Sequence, residues 1–317
     1  MKRVTIFDVA RKAGVSKSTV SRVLQGEETS VKPETRLKVL RAIQELGYQR
    51  NEIATSLRTH KSNMVLLVVP DISNPFWAEV AKGVQETLWA EGYTLVVANS
   101  DWNRTKERQM LQKAISNLFD GIIINPAYVS NAELKSLNIP VTIIGGFSEK
   151  YPDLDFVSSD SYWGTKKALE YLYKLGHRKI GFINGVYPNS SKSKRLKAYL
   201  DFLEEKGINK DDTLIITCLY GFDHGQEAMK KLISLGQRPT AVFAANDILA
   251  IGALQACHDL KIRVPEDISL VGMDDIYAAK ATTPQLTTVS KPKYDEGCQA
   301  AQFLICLLYT SPSPRDS

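Results

Sequence analysis

The chain has 317 residues, 44% of them hydrophobic and 24% charged, which excludes collagen-like and wholly disordered material. At roughly 150 residues per domain this length predicts about two folded units. No apolar run reaches the ~18 residues of a membrane-spanning helix, and Lys2, Arg3, Asp8, Arg11 and Lys12 interrupt the stretch a signal peptide would need, so a cytoplasmic protein is expected.

The formal charge of +5 is unevenly placed. Residues 1–62 hold 13 Lys and Arg against 6 Asp and Glu, net +7, while the remainder holds 27 against 29, net −2. A basic unit ahead of a near-neutral body is the footprint of a phosphate-binding module. Cys218, Cys257, Cys298 and Cys306 lack metal-ligand spacing, and the first two sit in apolar runs. Reduced, buried thiols are expected there, with no disulfide, metal or cofactor.

In chain order, Thr5-Ile6-Phe7-Asp8 reads as a capping box opening a helix that runs to Ala13. Gly14 supplies a left-handed stop, and Ser16 caps a second helix through Leu24. This is helix-turn-helix spacing, with Val9, Ala10, Val15, Val20 and Val23 closing the corner and Lys17, Ser18, Ser21 and Arg22 on the other face. Pro33 opens a third helix whose Leu37, Leu40, Ile43 and Leu46 are expected to complete a small core before Gly47.

From Met64, β-rich runs alternate with helical stretches: residues 65–69, 95–97, 122–124 and 141–144, then 180–183, 214–216, 241–243 and 268–271. Continuous apolar strands between amphipathic helices predict parallel sheets covered on both faces. The two series break near Ser161, giving two doubly wound lobes whose ligands would lie beyond the carboxyl ends of the strands. Polar and aromatic residues suited to a sugar stand at those stations: Asn74, Phe76, Asn125, Phe147 and Asp160 in the first lobe, then Arg195, Phe222, Asn246 and Asp274 in the second. Asp247 and Asp275 are expected to cap the segments that follow them, and His177 and Arg178 to serve loop structure.

Motifs of nucleophile elbows, phosphate-binding loops, dinucleotide fingerprints and zinc proteases are missing, so no enzyme is expected. Beyond Leu304 the composition changes, and Cys306 to Asp316 back-translates into a string resembling a sequencing-library adapter. Residues 306–317 are therefore read as an artefactual tail.

The segments 4–10, 13–16, 19–24 and Thr35-Arg36 resemble the DNA-binding headpiece of the lactose/galactose repressor family. Residues 175–180, 239–243, 246–247, 267–272 and 284–289 resemble its effector core, itself similar to periplasmic sugar-binding proteins. The resemblance implies an α/β protein in which an all-α helix-turn-helix headpiece (1–49) and a hinge (50–62) precede two doubly wound lobes, 63–160 with 291–305 and 161–290. It implies that Lys17, Ser18 and Arg22 meet base edges while Thr5, Ser16, Thr19 and Ser21 hold phosphates. Asn51, Ala54 and Leu57 of the hinge would contact operator DNA, Leu57 as a wedge in the minor groove. Arg195, Asn246 and Asp274 would clamp an effector walled by Phe76, Phe147 and Phe222.

The chain departs from the family at Arg50, where Pro is common, and at Ala198, where Gly is common and a small disturbance of the helix is expected. The implied function is a dimeric, effector-controlled repressor on a pseudo-palindromic operator, located at the bacterial nucleoid and responding to a carbohydrate. A purine- or nucleoside-dependent corepressor system is the alternative, and a sugar-binding protein without a DNA role is a further one.

Overall fold

Among its described residues the first unit holds three helices, and their packing follows from where the valines fall. The computed structural model describes residues 4–24, 31–49, 61–146, 148–186 and 193–310. They fall into two units, within Met1–Ser62 and Asn63–Ser317.

In the first, α1 (Ile6–Ala13) ends at Gly14, whose φ of 65° turns the chain toward α2 (Lys17–Leu24). The Asp8 carboxylate accepts from the Thr5 backbone N–H at 2.9 Å and from its hydroxyl at 2.6 Å. Ser16 Oγ accepts the Thr19 N–H at 3.1 Å, opening α2. The third helix, α3 (Pro33–Leu46), lies across both. The core is Val9, Ala10, Val20, Val23, Val39 and Ala42.

Leu37 and Leu40 correct the sequence expectation, being 56% and 46% exposed. A strict three-residue spacing falls about 60° short of a full turn at each step, so the row from Leu37 to Leu46 winds halfway round the helix. Val39 and Ala42, with Ile43 and Leu46 behind them, carry the face that packs.

The second unit contains two five-stranded parallel sheets. The first comprises β1 (Met64–Val69), β2 (Thr94–Asn99), β3 (Gly121–Ile124), β4 (Val141–Ile144) and β5 (Asp155–Val157), in the order β2-β1-β3-β4-β5. The second comprises β6 (Ile180–Val186), β7 (Ile215–Leu219), β8 (Ala241–Ala244), β9 (Ser269–Asp274) and β10 (Thr287–Ser290), in the order β10-β9-β8-β6-β7. Counted from its own first strand, each sheet has the same winding. β5 and β10 were not expected from sequence: both are short edge strands, and neither has the continuous apolar character of the interior ones.

Around the first sheet lie α4 (Pro75–Ala90), α5 (Arg104–Ser116) and α6 (Asn131–Lys135); with the second go α7 (Ser161–Lys174), α8 (Lys194–Glu205), α9 (Phe222–Ile233) and α10 (Asp247–Asp259). Between β9 and β10 the short α11 (Tyr277–Ala281) carries Ile276 and Ala279 into the first sheet's core. After β10 the chain returns as α12 (Lys293–Thr310), which packs on α4 and on β3 to β5. A Cβ on Gly297 would stand 2.2 Å from the Val80 carbonyl oxygen, and one on Gly83 2.1 Å from that of Tyr294, so these two helices touch through backbone. In the second lobe, Gly225 and Gly252 make the same kind of contact between α9 and α10.

Ala198 and Tyr199 are fully buried in an unbroken α8, so the expected disturbance is not present. Nor does α12 stop where the sequence changes character. It runs on through Cys306 to Thr310, with the Tyr309 hydroxyl donating to Glu91 at 3.1 Å. Cys257 is buried and Cys218 partly so, and burial pushes both thiols up to about 11. Among the described residues no helix is long and apolar enough to cross a membrane.

Candidate functional site

On the first unit, burying Val20 and Val23 turns the opposite side of α2 outward, leaving Lys17, Ser18 and Arg22 exposed. Ser21 and Thr19 are half-buried, and Thr5 and Ser16 are exposed at the starts of their helices. The Ser16 hydroxyl lies 2.7 Å from that of Ser18 and 2.9 Å from that of Thr19, grouping three hydroxyls at the N-terminus of α2. The Lys17 ammonium stands 4.9 Å from the centre of the Phe7 ring, which braces a long cation beside this face. Cations and hydroxyls converging on one helix face suit a groove edged by phosphates. Asn51, Ala54 and Leu57 lie outside the described residues.

The second site is an open cleft at the carboxyl ends of both sheets. Its lining comes from just beyond the strands: Asn74, Phe76 and Trp77 after β1, Trp102 after β2, Asn125 after β3, and Gly145 and Gly146 after β4. From the second lobe come Arg195 after β6, Tyr220 after β7, Asn246 after β8, Asp274 at the end of β9 and Lys291 after β10.

Each side chain is fixed locally. Asn74 caps α4 by accepting the Phe76 N–H at 3.0 Å, and Asn246 caps α10 by accepting that of Leu249 at 2.9 Å. In both amides the cap occupies the oxygen and leaves the nitrogen to donate. Asn125 donates to the Ile144 carbonyl at 2.7 Å, and the left-handed Gly145 gives it room, since a Cβ there would lie 2.7 Å from its amide nitrogen. Arg195 donates to the Tyr220 hydroxyl at 3.1 Å, and the Tyr220 ring stacks on Trp102 across the cleft with centres 6.4 Å apart and planes 20° from parallel. Gly185 admits that ring, because a Cβ there would fall 2.3 Å from it.

The electrostatic centre is Asp274, 5% exposed, with Lys291 Nζ at 3.6 Å from its Oδ1. Burial pushes the Asp274 carboxyl up and the Lys291 ammonium down, and their mutual attraction opposes both shifts. Among the described residues Asp274 Oδ1 accepts no hydrogen bond. Beneath it, the buried Lys293 donates to the Asp274 and Asp275 carbonyls at 2.7 and 2.8 Å, holding a turn whose residues have φ of 121° and 54°.

Asp247 and Asp275 correct the expectation of caps. Asn246 caps α10, whereas the Asp247 carboxylate is fully buried and accepts from the Ile276 N–H at 2.9 Å and the Thr288 hydroxyl at 2.6 Å. It ties α10 to the turn after β9 and to β10. Burial pushes its carboxyl up to about 6, against the opposing pull of those two hydrogen bonds. Asp275 caps no helix; its carboxylate stands 3.8 Å from Lys280. His177 bridges the Thr240 and Ser269 hydroxyls at 2.9 and 3.0 Å, joining the approaches to β6, β8 and β9.

Comparison with known proteins fits both sites. Residues 5–51 match the bacterial regulatory proteins, lacI family, and residues 169–317 match the periplasmic binding protein-like domain. Catabolite control protein A of Priestia megaterium is 36% identical over 305 residues, 95% of this chain and 91% of that protein. The chain belongs to the LacI family of bacterial regulators.

Among solved structures, a Lac repressor dimer bound to operator and the anti-inducer ONPF superposes with a TM-score of 0.86 at 25% identity, covering 97% of this chain and 93% of that one. The transcriptional regulator CelR in complex with cellobiose gives 0.70 at 29% identity, covering 98% and 95%. This LacI-family chain is a ligand-responsive, DNA-binding transcriptional regulator, and its relatives are regulators rather than enzymes.

Of the cleft residues read from this family member's sequence, Asn74, Phe76, Asn125, Arg195, Asn246 and Asp274 come together. Asp160 does not line the cleft: it is exposed and caps α7, accepting from the N–H groups of Tyr162 and Trp163. Phe222, 40% exposed, opens α9 outside the cleft, and the aromatic wall there is Tyr220. Phe147 lies outside the described residues. Trp77, Trp102, Tyr220 and Lys291 were missed. Applying the strand-end rule to β2 and β7 as well reaches Trp102 and Tyr220, whereas Lys291 follows β10, a strand the sequence did not mark.

Proposed function

We propose that the protein is a repressor whose operator affinity is lowered by a small carbohydrate held between the two lobes, 63–160 with 291–305 and 161–290. Arg195, Asn246 and Asp274 clamp its hydroxyls; Phe76 and Tyr220 wall its ring; Asn74, Asn125 and Lys291 complete the polar lining. One observation carries the reading: a buried carboxylate oxygen with no hydrogen-bond partner among the described residues, Asp274 Oδ1, sits in a cleft of aromatic faces and amide donors. The ion pair with Lys291 at 3.6 Å leaves hydrogen-bonding capacity of that oxygen unused, and a ligand hydroxyl would take it up. The protein has no catalytic role, and its site of action is cytoplasmic, on the bacterial nucleoid.

Two copies of the headpiece, related by a two-fold axis, read the half-sites of a pseudo-palindromic operator. Lys17, Ser18 and Arg22 contact bases, Thr5, Ser16, Thr19 and Ser21 contact phosphates, and Asn51, Ala54 and Leu57 contact the minor groove. Effector binding changes the angle between lobes, residues 50–62 pass that change on, and operator affinity falls by the effector's differential affinity for the two states.

The test is selection of an operator from random oligonucleotides, followed by operator binding with a panel of sugars and nucleobases. A palindromic site released by a sugar supports the reading. Release or tightening by a purine alone assigns the effector to the other class.

A further inference from the structure

The turn that presents Asp274 is held from both lobes. From its own lobe, the Asp247 carboxylate accepts the Ile276 N–H at 2.9 Å and the Thr288 hydroxyl at 2.6 Å, and Thr288 Oγ1 accepts the Asp275 N–H at 3.3 Å. From the other lobe comes Lys293, the first residue of α12, the helix that packs on α4 and the first sheet. Its side chain is 4% exposed, and its ammonium donates to the Asp274 and Asp275 carbonyls at 2.7 and 2.8 Å. The same ammonium stands 3.6 Å from the Glu79 carboxylate on α4. Successive carbonyls of an extended chain point to opposite sides, yet these two meet on one cation. They do so because Asp274 and Asp275 have φ of 121° and 54°, values a non-glycine residue keeps only where its surroundings hold it. Those surroundings are a carboxylate from one lobe and a cation from the other.

Asp274 is therefore engaged on two sides: its carbonyl is bound by Lys293, while its carboxylate, 3.6 Å from Lys291, borders the cleft. A hydrogen bond of this length is lost when its atoms part by about 1 Å, so the grip holds over a narrow range of lobe positions. We propose that Lys293 is a positioning residue for the regulatory response: its grip on the Asp274–Asp275 turn selects one relative placement of the lobes. A ligand that engages the Asp274 carboxylate acts on that grip through the same residue. The proposal rests on the lobe-angle coupling described above and is independent of the chemical class of the ligand. Removing the ammonium favours the other placement, because it takes away bonds that only one of the two makes.

The experiment measures ligand-free operator affinity of the full-length wild type, Lys293→Met and Lys293→Arg on the palindrome selected from random oligonucleotides. Lys293→Met is expected to change that affinity by about fivefold or more. Lys293→Arg, whose guanidinium can still donate to both carbonyls, should restore most of it. Leu232→Ala serves as the control for stability alone: it truncates a fully buried side chain beside Gly181, at the start of β6, and should lower the melting transition while leaving operator affinity unchanged. Hydrogen exchange across residues 274–277 of the wild type should differ between free and operator-bound protein, a readout that needs no variant. Folded Lys293→Met with wild-type operator affinity would overturn the proposal; should that variant not fold, identical exchange across the turn in the two wild-type states would do so. Glucose, ribose, cellobiose, adenine and hypoxanthine, added to the wild type on operator, decide the carbohydrate reading separately. Release by a sugar upholds that reading whatever Lys293→Met does, and no response to any sugar removes it while the ligand-free comparison still decides the role of Lys293.

Discussion

The headpiece and the two-lobed unit solve different problems with different reserves. The headpiece packs six buried apolar side chains and puts its chemistry on the outer face of one eight-residue helix. The two-lobed unit has extensive cores behind each sheet and puts its chemistry at the ends of ten strands, in a cleft where no single element supplies more than a few groups. A surface on one rigid helix can read a fixed lattice of phosphates and bases. A cleft between separately stabilised bodies can change shape around a ligand without unfolding either. Reading and sensing are thus divided between regions of unequal robustness.

The largest effect should come from the backbone contact that closes the first lobe. Gly297→Leu drives a side chain into the Val80 carbonyl and should destabilise the two-lobed unit by about 3 kcal/mol or more, seen as a lower melting transition. An unchanged transition would mean that α4 and α12 can separate at no cost.

Next is pH. Asp247 has its carboxyl raised to about 6 from an ordinary 3.8, so the folded state holds the proton more tightly than the unfolded chain between those values. Its contribution therefore favours folding at low pH and declines as pH rises from about 4 to 6, by up to about 3 kcal/mol. Carboxylates held low by cations, such as the half-buried Asp267 beside Arg263, act in the opposite sense. The difference between wild type and Asp247→Asn across pH 4–7 isolates the Asp247 part, and parallel profiles would remove it.

In the headpiece, Val39→Ala should cost about 2 kcal/mol, whereas Leu37→Ala should stay within about 0.5 kcal/mol. Equal losses in denaturant melts would return Leu37 to the core. Arg22→Ala should weaken operator binding by about 1–3 kcal/mol and relax preference at one base pair. Equal losses on operator and random DNA would restrict Arg22 to phosphate.

How far these regions could be read from sequence follows the same division. In the headpiece the turn and the outward face are local, so Gly14, Ser16 and the valines announce them, and only the face of α3 was misplaced, through a three-residue row mistaken for a stripe. In the lobes, eight apolar runs marked the six interior strands and the edge strands β2 and β7, while the edge strands β5 and β10 lacked the continuous apolar side chains that signal one. In the cleft, residues next to long strands and caps, such as Asn74 and Asn246, were legible because the same amide also starts a helix. Trp102, Tyr220 and Lys291 carry no such local mark, and their place follows from how the sheets bring distant loops together. Asp274 was legible as a residue, but its pairing with Lys291 was not.

Operator affinity of the purified protein, measured with and without a saturating carbohydrate effector at fixed salt, tests the coupling of the two regions most directly. A shift of about fivefold or more is predicted. Identical affinities under the two conditions would contradict the account.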